Sequence, residues 1–360
     1  MRRLALVLAA LAVVVLWPAG PAAAIPRGTH VDVYTSGHGF MVDMAWVPGT
    51  KRIFVTEKIG KIRIVRRGVL DPKPCAALDV EHENERGMLG IALHPRWRDN
   101  HYLYVYYTNA SPLENRVTRF TVRDGACVEP VHVVTGIPSP DTRHNGGQIE
   151  IAGGHLFVAT GDGTAPSRSQ NLSDPLGKVL RYELDGTIPA DNPFSAPGSP
   201  SPVWSYGHRN PFGLARVPGT GELFESENGP ECDDELNRIE PGGNYGWGIG
   251  YTCGTDGVGP APRAPLQRWT PPIVPTDLWW YEGRMGRLAG DLYMGDFGPG
   301  GVHRFSLDDA RTGVERGRVI HDDEPVVDVS EGPGGWLYFM TLGEIKRIVP
   351  DAMASGARRH

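Results

Sequence analysis

A histidine, a carboxylate and an arginine stand in three glycine-rich stretches of this 360-residue chain. His144 opens His144-Asn145-Gly146-Gly147-Gln148, Asp162 is the centre of Gly161-Asp162-Gly163, and Arg209 lies within Tyr206-Gly207-His208-Arg209-Asn210-Pro211-Phe212-Gly213. If the fold brings them together, Asp162 orients the imidazole of His144 as a general base. Arg209 then holds a planar anion through paired, charge-assisted hydrogen bonds. Further on, Gly229 and Pro230 offer backbone carbonyls in a turn, oxygen ligands suited to a hard cation such as calcium. Each residue also has a plainer reading. A loop histidine is often a structural hydrogen-bond partner, and a Gly-Asp-Gly turn is often only a turn. Arg209 can simply pair with a nearby carboxylate, and Glu231, Asp233, Asp234 and Glu235 can form a solvated face. What favours chemistry is that the clusters fall at corresponding edges of neighbouring repeats.

Those repeats are the elements that must position the site. Six units recur, each an apolar strand, a turn, and a second strand rich in aromatic and β-branched residues. They begin near Met41, Gly87, Gly146, Asn210, Asp277 and Val326, and their second strands read Ile53-Phe54-Val55, Tyr102 to Tyr107, His155 to Thr160, Leu223 to Glu227, Asp291 to Met294 and Trp336 to Thr341. No stretch carries a sustained helical period with caps. The spacing, roughly 55 residues, is near the 40–50 of propeller repeats. The chain is therefore expected to be all-β, a six-bladed β-propeller with four-stranded blades over residues 25–350. His30 to Tyr34 alternate in character and are expected to close the last blade, removing a sheet edge. A sandwich pair or a solenoid is the alternative, and six matched units strain a two-sheet sandwich.

Arg2 and Arg3, the apolar run Leu4 to Trp17 and Ala22-Ala23-Ala24 read as a secretory signal peptide over residues 1–24, cleaved after Ala24. Residues 351–360 read as a tail. Export favours disulfides, and Cys75–Cys127 and Cys232–Cys253 are the expected pairs because each falls within one or two neighbouring repeats. No close C-x-x-C spacing supports zinc. A formal net charge of −6 with scattered basic residues gives no footprint for nucleic acid, and no later stretch is apolar enough to span a membrane.

The phrases ERGMLGIALHP from Glu85, HNGGQI from His144, GDG from Gly161, NLSDPLGKVLRYELDGTIPADNPF from Asn171, YGHRNPFGLA from Tyr206, ENGPECDDELNRI from Glu227 and NYGWG from Asn244 together carry a resemblance. The mature chain resembles the soluble glucose/aldose sugar dehydrogenases that depend on pyrroloquinoline quinone (PQQ), the glucose/sorbosone dehydrogenase family. The match is dense in units two to four. The resemblance implies a six-bladed propeller that binds PQQ and calcium over its channel and oxidises an aldose to a lactone, with hydride passing to the quinone and onward to an electron acceptor. It implies His144 as catalytic base, Asp162 as its acid partner, Arg209 and Asn210 as quinone contacts, Glu85 as a substrate contact, and Gly229 and Pro230 as carbonyl ligands of the activating calcium. Tyr245 lies in the stretch near a second, structural calcium. Two departures stand against that pattern. The loop Gly295 to Gly301 lacks the family's usual lysine, and the sixth unit opens Glu324-Pro325-Val326-Val327-Asp328 without the usual arginines. A secreted, non-catalytic binding propeller that has lost the quinone site is the alternative. A calcium-dependent lactone hydrolase is a third reading, and it would need carboxylate ligands in the channel.

Overall fold

The computed structural model describes residues 25–351; the expected signal peptide, residues 1–24, and the tail beyond residue 351 lie outside them. The described chain is a six-bladed β-propeller, as the repeats imply. The first blade runs outward from Met41–Trp46 through Arg52–Glu57 and Lys61–Arg66 to the short strands Val69–Leu70 and Ala76–Ala77. Its neighbours start from Met88–Leu93, Ile149–Ala152, Pro211–Arg216, Pro275–Tyr281 and Asp328–Gly332, which line the channel in turn.

The second strand of each blade is buried on both faces because neighbouring blades cover it. That is why Tyr102–Asn109 and Asp291–Asp296 are nearly all inside, with no polar face to alternate. Apolar residues collect into six cores, one at each junction between adjacent blades. Tyr104 and Tyr106 meet Leu156 and Val158 between the second and third blades, while Met41 and Ile53 meet Tyr338 and Met340 between the first and last. The ring is closed by Thr29–Ser36, which pairs antiparallel with Glu344–Pro350 as the outer strand of the sixth blade.

Both expected disulfides are formed. Cys75–Cys127 ties the outer parts of the first two blades, and Cys232–Cys253 pins the loop behind Gly229 and Pro230. Outer strands are where structure exceeds the repeat pattern. Val314–His321, for example, exposes half of its residues in one run and shows no alternation to read.

Candidate active site

Because the inner strands all run in one direction, the loops that precede them meet at one mouth of the channel. Glu85, His144 and Asn210 come from the loops before the second, third and fourth inner strands. One carboxylate oxygen of Glu85 accepts the backbone N–H of His144 at 2.7 Å and the side-chain amide of Asn210 at 3.1 Å. Glu85 thus fastens three blades together at the mouth.

His144 Nδ1 lies 2.7 Å from Asp162 Oδ1. Asp162 is fully buried and also accepts the backbone N–H of Thr164 and the indole N–H of Trp247, each at 2.8 Å. With a carboxylate on Nδ1, that nitrogen is the donor, which leaves Nε2 as the basic atom of the ring. His144 has a left-handed φ of 54°, a conformation uncommon for a side chain with a Cβ. It is held there from both sides: Glu85 takes its N–H, and a Cβ on Gly161 would lie 2.2 Å from its carbonyl oxygen. Gly161 therefore has to be glycine for the histidine loop to approach.

Arg209 stands beside this pair. Its guanidinium donates to the carbonyl of Asn228 at 2.8 Å and lies 5.4 Å above the ring of Trp247. Burial draws its pKa down, against the opposing pull of Asp162, Glu227, Glu85 and Asp234. One guanidinium among four carboxylates leaves the mouth acid-rich, a setting that suits an added cation.

The Gly229-Pro230 turn is built by Asp234. One of its oxygens accepts the N–H of Gly229 at 2.8 Å, and the other accepts Ile273 and Val274 at 2.6 and 2.7 Å. A Cβ on Gly229 would lie 2.0 Å from the carbonyl oxygen of Cys232. Among the described residues no hydrogen bond reaches the carbonyl of Gly229 or Pro230. Of the acidic run, only Glu231 is exposed; Asp233, Asp234 and Glu235 are buried. Tyr245 is placed differently from the turn. Its ring stacks on His208 at 4.7 Å, and its hydroxyl donates to Arg238 and accepts from Glu240. That hydroxyl is committed within the protein.

The two stretches that lack the expected cations are internally satisfied. Asp296 accepts the N–H of Gly300 at 2.6 Å and pairs with His303 at 2.7 Å. Glu324 pairs with Lys346 at 2.6 Å. Both acids are thus engaged within the protein, and Lys346, which also lies 3.3 Å from Glu344, is taken up by two carboxylates. At the His144 end, then, the donor set fits a quinone anion accompanied by a divalent cation. At the far end, the Gly295 to Gly301 loop and the opening of the sixth blade offer no free cation among the described residues.

Two functional residues were not singled out from the sequence. Trp247 appears there only inside the phrase NYGWG, yet it holds the acid of the dyad. His208, buried beneath the mouth, is held by Ser205 and Glu227 at 2.9 and 3.0 Å.

Known proteins share this architecture across almost all of the chain. Aldose sugar dehydrogenase YliI of Escherichia coli is 27% identical over 353 residues, 91% of this chain and 94% of that protein. A putative oxidoreductase (glucose dehydrogenase) of Thermus thermophilus is 34% identical with a TM-score of 0.80, covering 89% of this chain and 100% of that one. The PQQ-bound aldose sugar dehydrogenase of Streptomyces coelicolor is 28% identical with a TM-score of 0.77, covering 90% and 99%. Residues 40–349 match the family model described as Glucose / Sorbosone dehydrogenase, and the chain belongs to that family.

Proposed function

We propose that this protein oxidises the anomeric carbon of an aldose to a lactone, with His144 as the base. The observation that carries the reading is the 2.7 Å contact between His144 and the buried Asp162, with Arg209 beside it at the channel mouth. Nε2 of His144 takes the proton of the anomeric hydroxyl, and the hydride leaves the anomeric carbon for the acceptor. Asp162 fixes the tautomer and stabilises the imidazolium that forms. Pyrroloquinoline quinone with calcium, when bound, supplies the two-electron acceptor. Arg209 and Asn210 hold the quinone, the carbonyls of Gly229 and Pro230 hold the activating calcium, and Glu85 borders the sugar. The stretch around Tyr245 serves a second calcium through groups other than its committed hydroxyl. An unassigned acceptor outside the protein takes the electrons onward, and the 1–24 signal directs the chain to export.

The test uses purified, calcium-loaded protein. On this reading it takes up pyrroloquinoline quinone and then reduces a dye when an aldose is added. Absence of quinone uptake would leave the second reading, a secreted binding propeller. That reading is favoured by the lysine-free Gly295 to Gly301 loop and by the internal pairing of Asp296 and Glu324.

A further inference from the structure

Away from the His144 mouth, three aspartates converge inside the channel. Asp43, Asp277 and Asp328 project from the inner strands of the first, fifth and sixth blades, which adjoin one another around the axis. One carboxylate oxygen of each lies within 4.8 Å of the others', and the residues are only 4%, 7% and 1% exposed. Asp43 is partly satisfied by the N–H groups of Met44 and Ile91 at 2.6 and 2.7 Å, and Asp277 by the amide of Gln148 at 2.9 Å. Neither buried oxygen of Asp328 meets a hydrogen-bond donor, and its polar neighbours are the carboxyls of Asp43 and Asp277. A carboxylate buried without partner or counter-charge is among the costliest arrangements a fold can hold. One such group beside two further buried carboxylates calls for a positive species between them.

We propose that Asp43, Asp277 and Asp328 form a calcium site in the propeller channel, separate from the cofactor turn at Gly229 and Pro230. An all-oxygen, carboxylate-rich set selects a hard cation. Calcium accepts about six to eight oxygens in a flexible geometry, which three carboxylates beside an open cavity can provide together with water, whereas magnesium holds to a strict octahedron. Burial pushes the pKa of Asp43 up to about 7, and burial together with the neighbouring carboxylates drives Asp277 and Asp328 upward. Access is provided from the face opposite His144. A cavity of about 1570 Å³ opens there between the inner-strand ends and reaches all three carboxylates and Gln148 at its inner end. The ion would join the first blade to the last two, across the seam where the ring closes.

The experiment compares the intact protein with Asp328→Asn, which keeps the side-chain shape and removes one charge. Both are stripped with chelator, reloaded with calcium, and measured for metal content, for melting temperature with and without calcium, and for terbium luminescence excited through Trp46 and Trp279, which line the same cavity. The expected result is that Asp328→Asn binds one calcium fewer per chain and loses part of the calcium-dependent rise in melting temperature. It should also lose the terbium signal that calcium displaces from the intact protein. Without calcium the variant should melt no lower than the intact chain, because an uncompensated charge has gone. Equal calcium content in the two proteins, with equal calcium response, would overturn the proposal and leave shared protons as the neutralising species. Should Asp328→Asn fail to fold, Asp277→Asn carries the same comparison.

Discussion

The strained backbone of His144 is enforced by its neighbours, and that separates the catalytic role proposed for its ring from the structural role of its backbone. Its N–H and carbonyl hold the loop, whereas its half-buried ring makes one hydrogen bond, to Asp162. His144→Ala should therefore cost about 10²–10⁴-fold in turnover with little change in melting temperature, and a large fall in stability would show that the ring is structural. Trp247 acts one step back. Trp247→Phe keeps the ring beneath Arg209 and removes the indole donor from Asp162, so we expect a lower kcat at near-constant KM together with a displaced pH profile. An unchanged profile would remove Trp247 from the dyad's support. His144 and Asp162 were legible because short glycine-rich stretches mark both. Trp247 was not, because its bond spans 85 residues and exists only after the fourth-blade loop folds back over the third.

Individual elements carry buried charge that sequence patterning does not announce. Lys178 begins a strand of the third blade and is fully buried, its ammonium donating to the carbonyls of Arg168, Ser169 and Leu176 at 3.0, 3.0 and 2.7 Å. Burial pulls its pKa down to about 7, against Asp174. Three donors matched by three carbonyls make it the pin of the 168–176 loop. Lys178→Met should destabilise by on the order of 3 kcal/mol by stranding those acceptors, read as a lower urea midpoint; an unchanged midpoint would refute the pin. His208 shows the opposite shift. Burial lowers its pKa, but Glu225 and Glu227 outweigh that and raise it to about 9. A folded-state value above the ordinary 6.5 means that the protonated ring stabilises the fold below about pH 6.5, and that this contribution is lost as pH rises through about 9. His208→Gln should reduce the fall in melting temperature across that window, and an identical slope would mean that the ring is neutral in the fold. The second strand of each blade could be read most readily because packing on both faces makes it rich in apolar and aromatic residues, as in Tyr102–Asn109 and Trp336–Met340. Outer strands such as Val314–His321 could not, since one face meets solvent and their pairing is set by the neighbouring strand.

At the scale of the whole molecule, a propeller must join its first blade to its last, and here the N-terminal strand does so. Thr29–Ser36 hydrogen-bonds along Glu344–Pro350, Asp32 pairs with both ends of the Arg347 guanidinium at 2.7 and 3.1 Å, and the ring of Tyr34 packs edge-on against Trp46 of the first blade and Tyr338 of the last. The ion pair is partly exposed and contributes little by itself. The strand matters more for what it covers. Removing it bares the N–H and C=O groups of Glu344–Pro350, an edge open to pairing with another chain, and frees the core shared by the first and sixth blades. That closure was legible from the alternation in character of His30 to Tyr34, although in the fold the strand's burial does not alternate cleanly and its register shifts between Val33 and Thr35. A chain beginning after Ser36 should melt at a lower temperature and elute by size exclusion as species larger than the intact protein. A truncated chain with the same melting temperature and elution volume would show that the sixth blade closes the ring without its outer strand.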